Sequence, residues 1–357
     1  LAQCTFRQRK ISALVVSKLP TGADGDELNQ GLDDDMTDMR ATADDVRHAY
    51  RLLLGREPDE AGFEHHVAYI AANDIAPVDI ANRFMRSDEF KAMGSAYAAT
   101  QEVQLNGVKL YPWCGDRLIG DQLAASGEYE PHVLPLFLDA IKPGDYVLDV
   151  GANIGIYSLL AAQKTGDDGR VFSIEPVARN VQSLCAGVIG NDFRNVSVLP
   201  VAASDRASVI GVLRHMDSSN GIVDANASGP GVAEYVPTQR LDVLLAAIER
   251  LDIVKIDIEG HEPVAWPGLK ALVSKHRPII FSEFNPVAIR NHSRVAPESY
   301  LDALFEFANG GIDVLHLDGA RARCASSADV MKEWSGANER FGPGGTSHVD
   351  LVVDTRV

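Results

Sequence analysis

Two stretches carry residue types and spacings that can do chemistry. In the first, Val147-Leu148-Asp149-Val150-Gly151-Ala152-Asn153-Ile154-Gly155, an apolar run ends in Asp149, breaks into glycines and resumes with helical spacing. This predicts a buried strand, a tight turn and a helix start, which together make a nucleotide-sized cradle at the carboxyl edge of a parallel sheet. Gly151 is expected to leave room for a ligand against the backbone, and Gly155 to let strand and helix approach closely. The next apolar run, Val171-Phe172-Ser173-Ile174, ends in Glu175. A carboxylate there can accept hydrogen bonds from both hydroxyls of a ribose. After the run 196–201 come Ala203 and Asp205, where an adenine ring is expected. Asp205 either accepts from the adenine amine or caps the following turn.

The cradle discriminates between cofactors. A pyrophosphate is best held by turn amides facing a dianion. Asp149 at the mouth opposes a pyrophosphate but favours a sulfonium and an amino group. These residues, with glycines that depart from the GxGxxG spacing, argue for S-adenosylmethionine over a nicotinamide dinucleotide.

The second stretch is Asp252-Ile253-Val254-Lys255-Ile256-Asp257-Ile258-Glu259-Gly260-His261-Glu262. Period two places Lys255, Asp257 and Glu259 on one strand face. Three ionisable groups pointing one way at a strand end are costly unless they pair or serve a site. Asp257, Glu259 and His261 are the candidate proton acceptors, with Asp257 first because the strand end fixes it. Lys255 is either part of the site or a structural partner for a carboxylate. Glu283, near the end of the run 278–284, is expected to face the same crevice. Asp257, Glu259 and Glu283 offer oxygen ligands to a hard divalent ion such as Mg2+. Otherwise these carboxylates bind the cofactor's methionyl amine and activate an acceptor hydroxyl. His215, in a loop with Asp217-Ser218-Ser219-Asn220, either reaches the acceptor or faces solvent.

The surrounding chain must position these groups. From 146 to 284, predicted strands 146–150, 171–174, 196–201, 252–257 and 278–284 alternate with helices 156–164, 178–188, 240–250 and 264–275. Such alternation indicates an α/β doubly wound, Rossmann-like sheet. Two late β runs, 313–317 and 348–353, suit an antiparallel edge with little helix between them. The stretches 206–236 and 286–345, with Trp334, Arg340 and Phe341, are expected to be loops that shape the acceptor pocket. Ahead of this domain, residues 43–105 form a small all-helical module. Thr42 caps through Asp45, Val46, Tyr50, Leu53 and Leu54 supply an apolar face, and Ser87 caps a fourth helix. Residues 1–42, with Asp33-Asp34-Asp35, are a lead or linker, and 106–357 are the catalytic domain.

Composition narrows the function. The 357 residues include 33 Lys plus Arg against 50 Asp plus Glu, a net charge of −17, which disfavours broad contact with nucleic acid or anionic lipid. Cys4, Cys114, Cys185 and Cys324 form no CxxC pair, so neither a disulfide framework nor a thiolate zinc site is expected. No apolar run is long enough to cross a membrane. The apolar stretch 11–16 is short for a signal peptide, so the expected location is cytoplasmic. The chain opens on Leu1, which leaves room for an upstream piece.

The residues of 106–354 resemble the FkbM family of S-adenosylmethionine-dependent methyltransferases. The resemblance rests on Gly127-Glu128-Tyr129-Glu130, Pro143-Gly144, the stretch Val147 to Gly155, Glu175-Pro176, Ala202-Ala203-Ser204-Asp205, Leu241-Asp242, Gly268 and above all the string Lys255-x-Asp257-x-Glu259-Gly260-x-Glu262. It implies a class I methyltransferase sheet of seven strands ending in an antiparallel one. It also implies O-methylation of a hydroxyl on a saccharide, glycolipid or related natural product. By the same resemblance, Asp149, Gly151, Asn153, Gly155 and Glu175 bind the cofactor, and Lys255 to Glu262 lie by the transferred methyl. Val177-Ala178 departs from relatives that carry a second proline there.

The helical module resembles a small domain of poorly defined function found in bacterial extracellular or glycan-associated proteins, through Tyr50-Arg51-x-Leu53-Leu54-Gly55-Arg56-x-Pro58-Asp59, Gly62 and Phe84-x-x-Ser87-x-Glu89-Phe90. This implies docking, to a protein or a glycan, more than chemistry. The competing readings are N-methylation of a small molecule and a catalytically retired binding protein. Retention of Glu175 and Asp257 speaks against the latter. The missing basic stripe speaks against nucleic-acid methylation.

Overall fold

The structure is a computed structural model that describes residues 40–54, 56–85, 87–90, 100–113, 116, 119–214, 220–222, 234–341 and 348–356. The lead 1–39, Cys4, Cys114 and His215 lie outside the described residues. A hairpin of β1 (Val103–Leu105) and β2 (Val108–Leu110) precedes the main sheet. That sheet begins with β3 (Tyr146–Val150), β4 (Arg170–Ile174) and β5 (Val196–Leu199). A second, four-stranded sheet follows from β6 (Ala202–Ala203), β7 (Ser208–Arg214), β8 (Asn220–Ile222) and β9 (Glu234–Gln239), in the order β6-β9-β7-β8. The main sheet then resumes with β10 (Ile253–Ile256), β11 (Ile279–Phe284), β12 (Ile312–Leu315), β13 (Arg321–Cys324) and β14 (Val349–Asp354).

The main sheet has eight strands in the order β13-β12-β14-β11-β10-β3-β4-β5. From β11 to β5 the strands are parallel, while β14 inserts antiparallel between β11 and β12. Sequence alternation explains the layers. Val147, Ile253 and Phe281 pack into one core with Phe137, Leu159 and Leu184. Leu148, Val254 and Ile280 point the other way, into a core with Leu272, Leu301 and Val330. Because both faces are covered, the central strands read as continuous apolar runs.

The fold corrects four local expectations. Residues 240–250 form only the turn Leu241–Leu244. Leu241 and Leu245 reach the core, while Val243 and Leu244 stay exposed, so further turns have no apolar face to bury. The helix expected over 264–275 is broken into Glu262–Ala265, a 3-10 turn Trp266–Gly268 and Lys270–His276. Pro267 lacks an N–H, and a Cβ on Gly268 would lie 2.4 Å from the Ser204 carbonyl oxygen. The region 206–236 contributes β7 and the start of β9, not simply loop. The late β runs are neighbours in space, yet β13 and the helix Ser327–Phe341 lie between them in sequence.

The helices of the module follow their pattern, but Val103–Leu105, expected within this all-helical unit, forms β1. Asp45 accepts from the Thr42 amide at 2.7 Å, and the helix Ala43–Leu54 follows. Asp59 caps the helix Glu60–Asn73 through the Gly62 amide. A third helix, Pro77–Met85, brings Phe84 edge-on to Tyr50 at 4.8 Å. The Ser87 hydroxyl accepts from the Phe90 amide. Glu57 joins module to sheet, accepting from both Arg51 and the Tyr235 hydroxyl of β9 at 2.9 Å.

Candidate active site

The cradle forms where β3 ends. The amides of Gly151 and Ala152 both donate to the Ile174 carbonyl, bending the chain across the top of β4. Gly151 sits at φ +90°, and a Cβ there would lie 1.8 Å from the Asp257 carbonyl oxygen. The direction a side chain would take is therefore filled by the Asp257 backbone, while the glycine itself lines the cavity. Gly155, at φ +98°, admits Leu184, whose Cδ1 lies 2.4 Å from the Cβ position. Its close contact is thus with the helix Ala178–Gly190.

Glu175 is held at the mouth of this turn and is 4% exposed. Its carboxylate accepts from the amides of Asn153 and Val177, each at 2.8 Å, and from the Asn180 side chain at 3.4 Å. Burial raises its pKa to about 7 against the pull of these donors. A carboxylate offers roughly four acceptor sites. Three are taken, so Glu175 has room for one strong ribose hydrogen bond rather than two. Asp149 accepts from Ser158 at 2.6 Å, and Ser173 donates onward to Ser158 at 2.7 Å. Burial pushes the Asp149 carboxyl up to about 6.

The second cluster meets the first. Lys255 is 1% exposed and donates to Asp257 at 3.0 Å. Burial alone would lower the Lys255 pKa, but Asp257, Glu130, Asp350 and Glu283 together raise it. Burial likewise opposes ionisation of Asp257, yet the Lys255 charge and a hydrogen bond with Glu283 hold its pKa low. Glu283 is pushed well above the carboxylate range by burial and by repulsion from Asp257 and Glu259. Within the pair, Asp257 is thus the easier group to ionise and Glu283 the harder. Glu259 follows the strand in the left-handed region at φ +56°.

One cavity of about 580 Å3 is lined by Asp149, Gly151, Asn153, Glu175, Lys255, Asp257, Glu259 and Glu283. Four residues expected in the site fall outside this lining: Gly155, packed on Leu184, and Ala203, Asp205 and His261. Ala203 is drawn into the parallel pairing of β6 with β9, and Asp205 pairs with Arg206 at 3.2 Å. His261 occupies the N-cap position of the helix Glu262–Ala265 without a side-chain capping bond, and burial depresses its pKa to about 4. Among the described residues, Asp257, Glu259 and Glu283 are not grouped closely enough to share one ion, and Asp257 is engaged by Lys255 and Glu283.

The cavity adds residues the motifs did not single out as site residues, including Tyr129, Glu130, Tyr157, Asn180 and His348. Tyr157 donates to Glu130 and stacks beneath the Lys255 ammonium, 4.9 Å from the ring centre. A polar Glu130 just before an apolar helix, and a tyrosine inside one, were the available signals.

The cavity has the dimensions of a small-molecule site. Its donor-held acid at the β4 end fits the adenosyl part of S-adenosylmethionine, and its carboxylates fit a cationic centre.

Residues 149–310 match the family described as "Methyltransferase FkbM domain", and residues 37–93 match "Domain of unknown function (DUF4214)". An arsenite methyltransferase of Halobacterium salinarum is 33% identical over 92 residues, 26% of this chain and 22% of the relative's length. The chain thus spans about a fifth of that relative. Among solved structures, the methyltransferase FkbM of Methylobacillus flagellatus is 17% identical with a TM-score of 0.36, covering 51% of this chain and 46% of the other. Aeropyrum pernix fibrillarin, solved with natively bound S-adenosyl-L-methionine, is 15% identical with a TM-score of 0.35, covering 72% and 83%. Over residues 149–310 the chain is thus similar to the S-adenosylmethionine-dependent methyltransferases of the FkbM family.

Proposed function

We propose that this chain methylates a hydroxyl of a saccharide, glycolipid or related natural product. The carrying observation is a single cavity lined both by Glu175 and by the Lys255–Asp257–Glu283 cluster. When bound, S-adenosylmethionine supplies an electrophilic methyl group on a sulfonium. Glu175 is assigned to a ribose hydroxyl, and Asp149 and the turn around Asn153 to the rest of the cofactor. Asp257 takes the acceptor proton as transfer proceeds. Its low pKa suits a late acceptor, since a sugar hydroxyl is too weak an acid to ionise beforehand. Lys255 keeps Asp257 charged and oriented, and Glu283 holds its second side.

The lining also speaks to the acceptor. Six carboxyl side chains, those of Glu130, Asp149, Glu175, Asp257, Glu259 and Glu283, face one lysine among the described residues. Such a field repels phosphates and favours a neutral polyol. It also attracts a protonated amine, so N-methylation is the second reading. The helical module is read as an accessory docking unit fixed against β9 through Glu57 and Tyr235. A cytoplasmic setting is consistent with the free cysteines Cys185 and Cys324. Among the described residues, no helix is long and apolar enough to cross a membrane.

The test is incubation of the full chain with S-adenosylmethionine and a panel of neutral saccharides and amines, read by mass and linkage analysis. A product heavier by one methylene on oxygen supports the proposal. Methylation confined to nitrogen replaces it with the second reading. Cofactor binding without turnover on any acceptor favours a retired, glycan-binding protein.

A further inference from the structure

At the wall of the cavity where β11 meets β14, a second group of ligands converges. His348 immediately precedes β14 and Asp350 is that strand's second residue, so their spacing of two places them on one side. Asp350 is paired in register with Glu283 on β11. His132, from the turn before the helix Leu134–Ala140, comes down onto the same spot. Its Nε2 lies 2.9 Å from Asp350 Oδ2, and His348 Nε2 lies 4.0 Å from the same oxygen. One ligand atom from each of the three residues lies within 4.8 Å of the others.

We propose that His132, His348 and Asp350 bind a borderline-soft divalent transition ion of the zinc class. Four features carry this. Two imidazoles and one carboxylate suit zinc-like ions, whereas magnesium and calcium take oxygen ligands. Bonds of about 2.0–2.2 Å to one ion would need only modest closure of these side chains. The side chains of His132 and Asp350 are 5% and 4% exposed, while that of His348 is 32% exposed and gives an entry side. Finally, Glu283 Oε1 lies 4.0 Å from His348 Nδ1. That nitrogen is the one through which an outer carboxyl group, at closer range, orients a metal-bound imidazole.

Three protein ligands leave a coordination position open. His348 and Glu283 both line the cavity, so that position faces the acceptor end. The ion would there hold an acceptor oxygen close to Asp257. This role rests on the O-methylation reading, whereas the metal site does not.

The experiment uses the full chain, stripped with EDTA and dialysed, then titrated calorimetrically with Zn2+. S-adenosylhomocysteine binding is measured on the same samples. The expected result is one Zn2+ per chain at micromolar or tighter affinity, undisturbed by millimolar Mg2+ and weakened at least tenfold in His348→Ala. Thermal unfolding checks that this half-exposed substitution leaves the fold intact. Co2+ supplies a second readout on the unmodified chain, as a visible absorption band that Zn2+ displaces. Absence of stoichiometric Zn2+ binding, or binding equally tight in His348→Ala, overturns the site. S-adenosylhomocysteine binding without Zn2+ binding rejects the metal and spares the methyltransferase reading. Zn2+ binding without S-adenosylhomocysteine binding supports the metal site and leaves its acceptor role contradicted.

Discussion

The Asp257 carbonyl oxygen fills the space above Gly151, while the Asp257 amide donates to the Val150 carbonyl at 2.9 Å. The backbone of one functional motif is thereby locked onto the backbone of the other. The carboxylate of Asp257 is aimed by a contact that tolerates no side chain on its neighbour.

Gly151→Ala should accordingly be severe. The residue would occupy a glycine conformation, a strain of about 1–3 kcal/mol, and also collide with the Asp257 carbonyl. Denaturant unfolding should show at least that loss, together with weaker S-adenosylhomocysteine binding. An unchanged midpoint would mean that β3 and β10 are not locked as described.

Glu175 predicts a pH dependence of cofactor affinity. Its folded pKa of about 7 lies above its ordinary value, so the free protein holds the proton below pH 7. The ribose needs the carboxylate. Affinity for S-adenosylhomocysteine should therefore rise as pH increases toward 7, by up to about tenfold per unit, and level off above it. Glu175→Gln should flatten this slope and weaken binding at pH 8 by about 10–100-fold, the worth of a charged hydrogen bond. A slope that survives the substitution would assign the titration to another group.

Much of this was legible from residue types, and the misses have physical causes. Glu175 and the Lys255-x-Asp257-x-Glu259 alternation are read locally, because strand period fixes their face. The contact that Gly151 makes with the Asp257 carbonyl was not legible because Asp257 is more than a hundred positions away in sequence. Ala203 and Asp205 escaped the cavity because pairing with β9 draws the chain aside, and local spacing carries no sign of that pairing. The meeting of His132 with Asp350 depends on β14 inserting beside β11, again a long-range event.

Asp257→Asn should separate chemistry from binding. With the proton acceptor removed, turnover should fall by about 10²–10⁴-fold, the usual span for a general base, while cofactor affinity changes little. Lys255→Met should act differently. It leaves Asp257, Glu130 and Glu283 buried without their cation, at a stability cost of about 3–5 kcal/mol. Equal kinetic effects from both substitutions, with no loss of stability, would reject the assigned roles.

Glu262 carries a stability prediction. It accepts from the amides of Ile258 and Gly260, at 3.1 and 3.2 Å, and so braces the turn beneath Glu259. Burial raises its pKa to about 7, above the ordinary 4.5. A raised carboxyl stabilises the fold most below its unfolded pKa, and that contribution is lost as pH rises through 7. Glu262→Gln keeps an acceptor for both amides without the buried charge. It should match the parent near pH 5 and exceed it at pH 8 by about 1–2 kcal/mol. Lower stability at pH 8 would show that the ionised carboxylate is the favoured brace.

The most direct measurement is calorimetric titration of the full chain with S-adenosylhomocysteine, beside Glu175→Ala and with NAD as a control. The account predicts saturable one-site binding at micromolar or tighter affinity, lost in the variant, and none to NAD. A folded chain that ignores S-adenosylhomocysteine, or binds it equally well without Glu175, would contradict the assignment of this cavity.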